Sequence, residues 1–173
     1  MNIVLLGYRG TGKSVISKKL SHKLRRRLYK TDDLISRSVG KSIPEIVMND
    51  GWKVFREKES NIVAEVSDQA KKSIIDCGGG VVLNDANIKN LKKDGVCIVL
   101  TASLETIIKR IKNDQNRPPL KEGISFEEEQ KTILEEREKK YLAAADFICD
   151  TSNCQPADTV QAIIEFLKTK GWI

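Results

Sequence analysis

Residues 2–14 read Asn2-Ile3-Val4-Leu5-Leu6-Gly7-Tyr8-Arg9-Gly10-Thr11-Gly12-Lys13-Ser14. An apolar run of the kind buried in a parallel sheet gives way at once to Gly7–Ser14, a match to G-x-x-x-x-G-K-[ST]. Glycines let the backbone curl so that successive N–H groups point inward at phosphate oxygens, and a helix N-terminus adds partial positive charge. Lys13 reaches the β- and γ-phosphates, and the Ser14 hydroxyl is a hard oxygen ligand for Mg²⁺. With a strand before it and a helix after it, the stretch implies a bound nucleoside triphosphate with Mg²⁺. Gly10, Thr11, Gly12, Lys13, Ser14 and Val15 are the residues expected to hold it.

Outward from this stretch, short apolar runs alternate with longer amphipathic ones. The strand candidates are Ile3–Leu6, Leu28–Thr31, Ser73–Cys77, Val96–Thr101 and Phe147–Asp150. Several are nearly all apolar, as strands covered on both faces must be. Helices are expected at about Lys13–Lys23, Trp52–Lys71, Asp85–Lys93, Leu104–Asn113, Phe126–Ala143 and Ala157–Lys168. Ser103 and Ser125 supply caps with acids in the following turn, and Pro156 suits a first turn. This alternation predicts a doubly wound α/β domain whose ligands bind at the carboxyl ends of the strands.

At 173 residues, 40% hydrophobic and 31% charged, the chain suits one domain that folds without disulfides or a structural metal. No apolar run nears the roughly 20 residues of a membrane span. Asn2–Leu6 meets glycine and charge too soon for a signal peptide. Lys and Arg total 30 against 24 Asp and Glu, a formal +6 that favours anionic partners. The densest basic block, Lys23-Leu24-Arg25-Arg26-Arg27, reads as a solvated helix end rather than a nucleic-acid site. Cys77, Cys97, Cys149 and Cys154 lack C-x-x-C spacing, and His22 alone cannot complete a zinc set with them. A reducing cytoplasm is the compartment expected.

A GTPase would need a guanine-reading N-K-x-D motif, and none occurs. Three signals point instead to phosphoryl transfer onto a small anionic acceptor. Thr31-Asp32-Asp33 ends the second expected strand, placing carboxylates beside the phosphate loop. Asp50–Glu59 opens a helix with Arg56 one turn in. Asp76-Cys77-Gly78-Gly79-Gly80 ends the third strand in three glycines, where a backbone must come close to a ligand.

At these residues the chain resembles the shikimate kinases, in the nucleoside-monophosphate-kinase branch of the P-loop fold. The likeness runs nearly end to end. It includes Gly7–Ser14, Thr31-Asp32, Gly40-Lys41-Ser42-Ile43, Asp50-Gly51, Phe55-Arg56, Glu59, Gly78-Gly79-Gly80, Asn116-Arg117-Pro118, Arg137, Tyr141 and Asp150-Thr151. It implies a three-layer α/β/α P-loop kinase with a five-stranded parallel sheet, a substrate-binding segment at about residues 32–60 and a mobile lid at about residues 112–125. The activity implied is ATP- and Mg²⁺-dependent phosphorylation of the shikimate 3-hydroxyl, a step of chorismate and aromatic amino-acid biosynthesis. A monomer with no nucleic-acid or membrane partner is expected.

Residue by residue, the resemblance implies that Asp32 bonds the ring hydroxyls and draws the proton from the 3-hydroxyl. A positioned carboxylate is also the usual way to orient an attacking alcohol. Arg56 and Arg137 would clamp the substrate carboxylate, for which the guanidinium fork is suited. Gly79, between Gly78 and Gly80, would offer its N–H to the substrate. Arg117 would come from the lid to neutralise charge on the transferring phosphoryl, and Arg110 would lie over adenine. With Lys13, Asp32 and Arg117 complete the catalytic candidates.

The chain departs from this pattern in two places. Most relatives carry Asp-x-Asp at the end of the second strand, the first Asp serving Mg²⁺ through water; here that place is Lys30. Asp76, ending the strand expected beside the phosphate loop, is the replacement, giving Ser14 and Asp76 as the metal pair. Asp33 is a weaker candidate, because adjacent strand residues point to opposite faces and Asp32 must face the site. An adenine-side Arg of some relatives falls here at about Asn153. The rival readings are a kinase of another small acid such as gluconate, a nucleoside-monophosphate kinase, and a silent nucleotide-dependent binding module.

Overall fold

In a computed structural model of the protein, residues 1–112 and 123–173 are described. Five parallel strands, β1 (Asn2–Gly7), β2 (Leu28–Lys30), β3 (Ile74–Asp76), β4 (Gly95–Thr101) and β5 (Phe147–Asp150), form one sheet in the order β2-β3-β1-β4-β5. Among the described residues seven helices cover it: α1 (Lys13–Leu24), α2 (Thr31–Val39), α3 (Ile43–Gln69), α4 (Asp85–Lys92), α5 (Leu104–Ile111), α6 (Phe126–Ala144) and α7 (Pro156–Thr169).

The strand pleat sorts the core into two layers. Ile3 and Leu5 face α1 and α7, packing with Ile16, Leu20, Val160, Ile163 and Leu167. Val4 and Leu6 point the other way, among Val63, Val66, Ile107 and Ile133. The three-layer α/β/α architecture read from the sequence is therefore present. β1 lies between β3 and β4, so the chain leaves the sheet in opposite directions around it and the loop after β1 opens at the switch point. None of the described helices is long and apolar enough to cross a membrane.

The region before residue 52 departs from the sequence reading. The second strand stops at Lys30, and Thr31-Asp32-Asp33 form the first turn of α2 rather than a strand end. Two carboxylates suit that turn, where helical N–H groups are unpaired and the dipole is positive. α3 starts at Ile43, well before the expected Trp52, behind a capping box in which Ser42 and Glu45 satisfy each other's backbone N–H groups. It kinks at Gly51 (φ 82°, ψ 166°), a left-handed conformation that glycine adopts without strain. Ile35, Ile46 and Phe55 give α2 and α3 a small core of their own.

The basic block behaves as a helix end only in part. Arg25 is the left-handed C-cap of α1, but Arg26 donates to the Met1 carbonyl (3.2 Å) and Arg27 lies over the Tyr29 ring at 4.7 Å. All four cysteines are free.

Candidate active site

The phosphate loop is built largely by backbone. Gly7 (φ 140°) lies so close to the Leu100 carbonyl that a Cβ would overlap it, and a Cβ at Gly10 (φ 80°) would fall 2.9 Å from Ile111 Cγ2. Gly12 caps α1 with no side chain, so no capping oxygen stands between the helix N-terminus and an anion. Lys13 Nζ donates to the carbonyls of Gly7 (2.8 Å) and Tyr8 (2.9 Å), curled over the loop it is expected to serve. A cleft of about 400 Å³ runs from this loop past Val15 and Arg110 to Thr151, Cys154, Pro156 and Thr159.

Arg110 lines that cleft with its guanidinium engaged by the protein. It donates to Gly10 O (3.1 Å), Thr151 Oγ1 (3.0 Å) and Thr151 O (2.7 Å), tying the phosphate loop to the turn after β5. Of that turn, Thr151 and Cys154 reach the cleft and Asn153 does not. Thr151 belongs to the Asp150-Thr151 pair of the family likeness, whereas Cys154 carries no signal in the sequence.

Asp76 ends β3 in register with Leu5 on one side and Lys30 on the other. Its buried carboxylate accepts a hydrogen bond from Ser17 Oγ (2.9 Å), one turn along α1 from Ser14. Lys30 turns its amine outward, 3.7 Å from Asp33, itself half exposed. Asp33 is thus directed away from the site by its place on a helix, not by a strand pleat. No cluster of three or more metal-ligating His, Cys, Asp or Glu occurs among the described residues.

The acceptor side draws charged side chains from distant segments. Arg56 on α3 pairs with Glu59 one turn later (2.7 Å) and stacks near the rings of Trp52 and Phe55, at 5.2 and 5.0 Å. Glu59 is 1% exposed, and its Oε1 has no hydrogen-bond partner among the described residues. Burial pushes its carboxyl above the usual range, opposed by Arg56 and reinforced by nearby Asp32, with Arg137 also within electrostatic reach. Arg137 on α6 donates to the Gly79 carbonyl at 3.2 Å, and the Tyr141 hydroxyl donates to the same oxygen. Burial raises the Tyr141 hydroxyl well above its usual range.

The Gly78–Gly80 loop is the floor on which these groups meet. A Cβ at Gly78 would lie 2.5 Å from Asp32 Oδ1 and 2.9 Å from Glu59 Oε1, and one at Gly80 would overlap the Arg56 guanidinium. The sequence reading expected these glycines to make room for a ligand. At Gly78 and Gly80 the room is taken by the protein's own site residues.

Asp32, Arg56, Gly78, Gly79, Gly80 and Arg137 therefore converge, while Lys13, Ser14 and Val15 line the adjoining cleft and Asp76 joins α1 through Ser17. Arg117 falls outside the described residues, as does the expected lid from residue 113 to 122. Sequence reasoning gave no role to Glu59, Tyr8, Arg9, Glu129 or Gln130. Glu59 was detectable as an acid one helical turn after Arg56; the others belong to a network with no local signature.

Comparison with known proteins follows the same outline. The family model described as shikimate kinase matches residues 9–168. A shikimate kinase of Pelotomaculum thermopropionicum is 39% identical over 172 residues, covering 99% of this chain and 98% of that protein. The structure of a shikimate kinase from Acinetobacter baumannii in complex with shikimate superposes with a TM-score of 0.91 at 27% identity, covering 98% of this chain and 93% of that one. A shikimate kinase from Aquifex aeolicus gives a TM-score of 0.81 at 27% identity, with 99% and 98% covered.

Proposed function

The chain belongs to the shikimate kinase family, an ATP- and Mg²⁺-dependent enzyme acting on shikimate, and on that premise we propose how its residues divide the work. The observation that carries the reading is the meeting of Asp32, Arg56 and Arg137 around Gly78–Gly80, next to a complete phosphate loop. Arg56 and Arg137 pair with the shikimate carboxylate, which fixes the ring orientation. Asp32, at the N-terminus of α2, accepts the proton of the 3-hydroxyl as that oxygen bonds the γ-phosphorus and the bridging bond to ADP breaks. The Gly79 N–H orients a ring hydroxyl. Lys13 leaves the loop carbonyls it now bonds and neutralises charge building on the β–γ bridge.

The donor set fits Mg²⁺. The Ser14 hydroxyl and the Asp76 carboxylate are hard oxygen donors on adjacent elements, joined through Ser17, which bonds Asp76 and the Ser14 carbonyl (3.2 Å). Ser14 would ligate the ion and Asp76 orient one of its waters. The ion supplies charge neutralisation at the phosphates when bound.

ADP release is the decisive measurement, made with ATP and Mg²⁺ against shikimate, gluconate and nucleoside monophosphates. Release dependent on shikimate alone is expected. Equal turnover of gluconate would reassign the acceptor, and no acceptor-dependent release would leave only a nucleotide-binding module.

A further inference from the structure

The buried face of α6 is polar. Glu129, Gln130, Ile133, Arg137, Tyr141 and Ala144 line it, so one helix stripe presents four groups able to hydrogen-bond or ionise. Arg137 and Tyr141 hold the Gly79 carbonyl of the acceptor loop. Two turns earlier, Glu129 and Gln130 hold the phosphate loop. Arg9 Nη2 donates to Glu129 (3.0 Å), and Arg9 Nε donates to Gln130 Oε1 (2.8 Å). Tyr8 Oη donates to the same Gln130 oxygen (2.9 Å), and Gln130 Nε2 donates back to Glu129 (2.7 Å).

Both charges of this pair are removed from solvent, with side chains 9% and 6% exposed. A buried ion pair gains little stability, because desolvation offsets most of the attraction; fixing a geometry is the better-supported use. The geometry fixed here spans both halves of the cleft. Arg9 lines the nucleotide cleft, and its backbone N lies 3.5 Å from where a Cβ of Gly79 would be. The Arg137 guanidinium sits 6.0 Å over the Tyr8 ring.

We propose that Glu129 and Gln130 clasp Arg9 and Tyr8 so that shikimate and nucleotide binding reinforce each other, with Glu129 as a positioning residue. The proposal rests on the reading that Arg137 and Gly79 meet shikimate. Glu129 and Arg137 are about 12 Å apart along one helix and move together. Seating Arg137 on a carboxylate fixes α6, and the fixed helix holds the phosphate loop in the curl that phosphate needs. The nucleotide then meets a loop already ordered, and by linkage the converse holds.

Calorimetry tests this with a non-hydrolysable ATP analogue and Mg²⁺, titrated with and without saturating shikimate. In the wild type, shikimate should tighten analogue binding by about fivefold or more, the lower end of usual couplings. In Glu129→Gln that ratio should fall to within about twofold of one, while each ligand alone binds within about threefold of wild type. Arg9→Lys, which keeps the charge but loses the second donor, should give an intermediate ratio and serves if Glu129→Gln does not fold. A purely structural pair would lower melting temperature and leave the ratio unmoved. A wild-type ratio of one, or variants that keep the wild-type ratio, overturns the clasp. Failure of the wild type to bind shikimate would instead remove the acceptor reading, and the clasp with it.

Discussion

The phosphate loop is eight consecutive residues, Gly7–Ser14, which offer backbone N–H groups, one lysine and one hydroxyl. The acceptor pocket beside it takes Asp32 from α2, Arg56 and Glu59 from α3, Arg137 from α6 and backbone from Gly78–Gly80. The first is a local object whose geometry follows from its own sequence. The second is a balance of charges in partial burial, where each group sits where its neighbours permit. Changes on the acceptor side should therefore be large in effect and narrow in scope, touching shikimate or the chemical step and sparing ATP.

Asp32→Asn is the strongest test of that separation. Loss of a positioned base costs roughly 10²–10⁴ in rate, so kcat should fall by that amount while an ATP analogue binds within about twofold of wild type. A parallel loss of nucleotide affinity would break the comparison. Arg56→Ala comes next. Removing one partner of a hydrogen-bonded charge pair costs about 2–5 kcal/mol, or roughly 30- to 4,000-fold. The lower end is expected in shikimate affinity, since the Arg56 side chain is 25% exposed. Arg56→Lys should restore only part, because a point charge cannot reproduce a fork. Gly80→Ala offers a sharper version: its methyl would displace the Arg56 guanidinium, so shikimate affinity should fall towards that of Arg56→Ala with Arg56 still present.

The same contrast explains what the sequence disclosed. The phosphate loop, the five strands and the three-layer architecture were legible because periodicity and a contiguous motif are local signals. Asp32, Arg56 and the Gly78–Gly80 run stood out by position as an acceptor side, but Arg137 and the separate roles came only through resemblance, and nothing in their spacing says that they converge. α2 was missed because Thr31-Asp32-Asp33 follows an apolar run and reads as its end, when the acids instead open a helix. The early start of α3 was masked by Gly51, which looks like a boundary and is only a kink. α6 itself was legible from its Ser125 cap and acidic first turn, but its buried face was not: a buried face is read from an apolar stripe, and this one buries carboxylate, amide, guanidinium and phenol.

Asp76→Asn probes the boundary between the halves with a smaller effect. Loss of a group that orients a metal-bound water typically costs about 10–100-fold in metal affinity or activity. The Mg²⁺ concentration for half-maximal rate should rise within that range, with shikimate affinity little changed. Lys30→Asp, in register with Asp76 across β2 and β3, should recover part of the loss in that background. An unchanged Mg²⁺ dependence in a stably folded Asp76→Asn protein would make Asp76 a structural partner of Ser17.

The smallest effect concerns Glu59 and has a definite sign. Burial holds its folded-state carboxyl above the ordinary value of 4.5, against the pull of Arg56. An acid that keeps its proton longer in the folded state favours folding at low pH and loses that contribution as pH rises through the window above 4.5. Glu59→Gln keeps the shape and cannot ionise. Its melting temperature relative to wild type should therefore rise between about pH 4 and pH 7. The change should be a few degrees at most, since about 1 kcal/mol moves Tm by roughly 2–4 °C at this size. Shikimate affinity should fall in the same variant, because Arg56 loses the carboxylate that aims it. A melting difference that moves the other way would show that the Arg56 pair outweighs burial, and that the acceptor side is held together by its charges rather than strained by them.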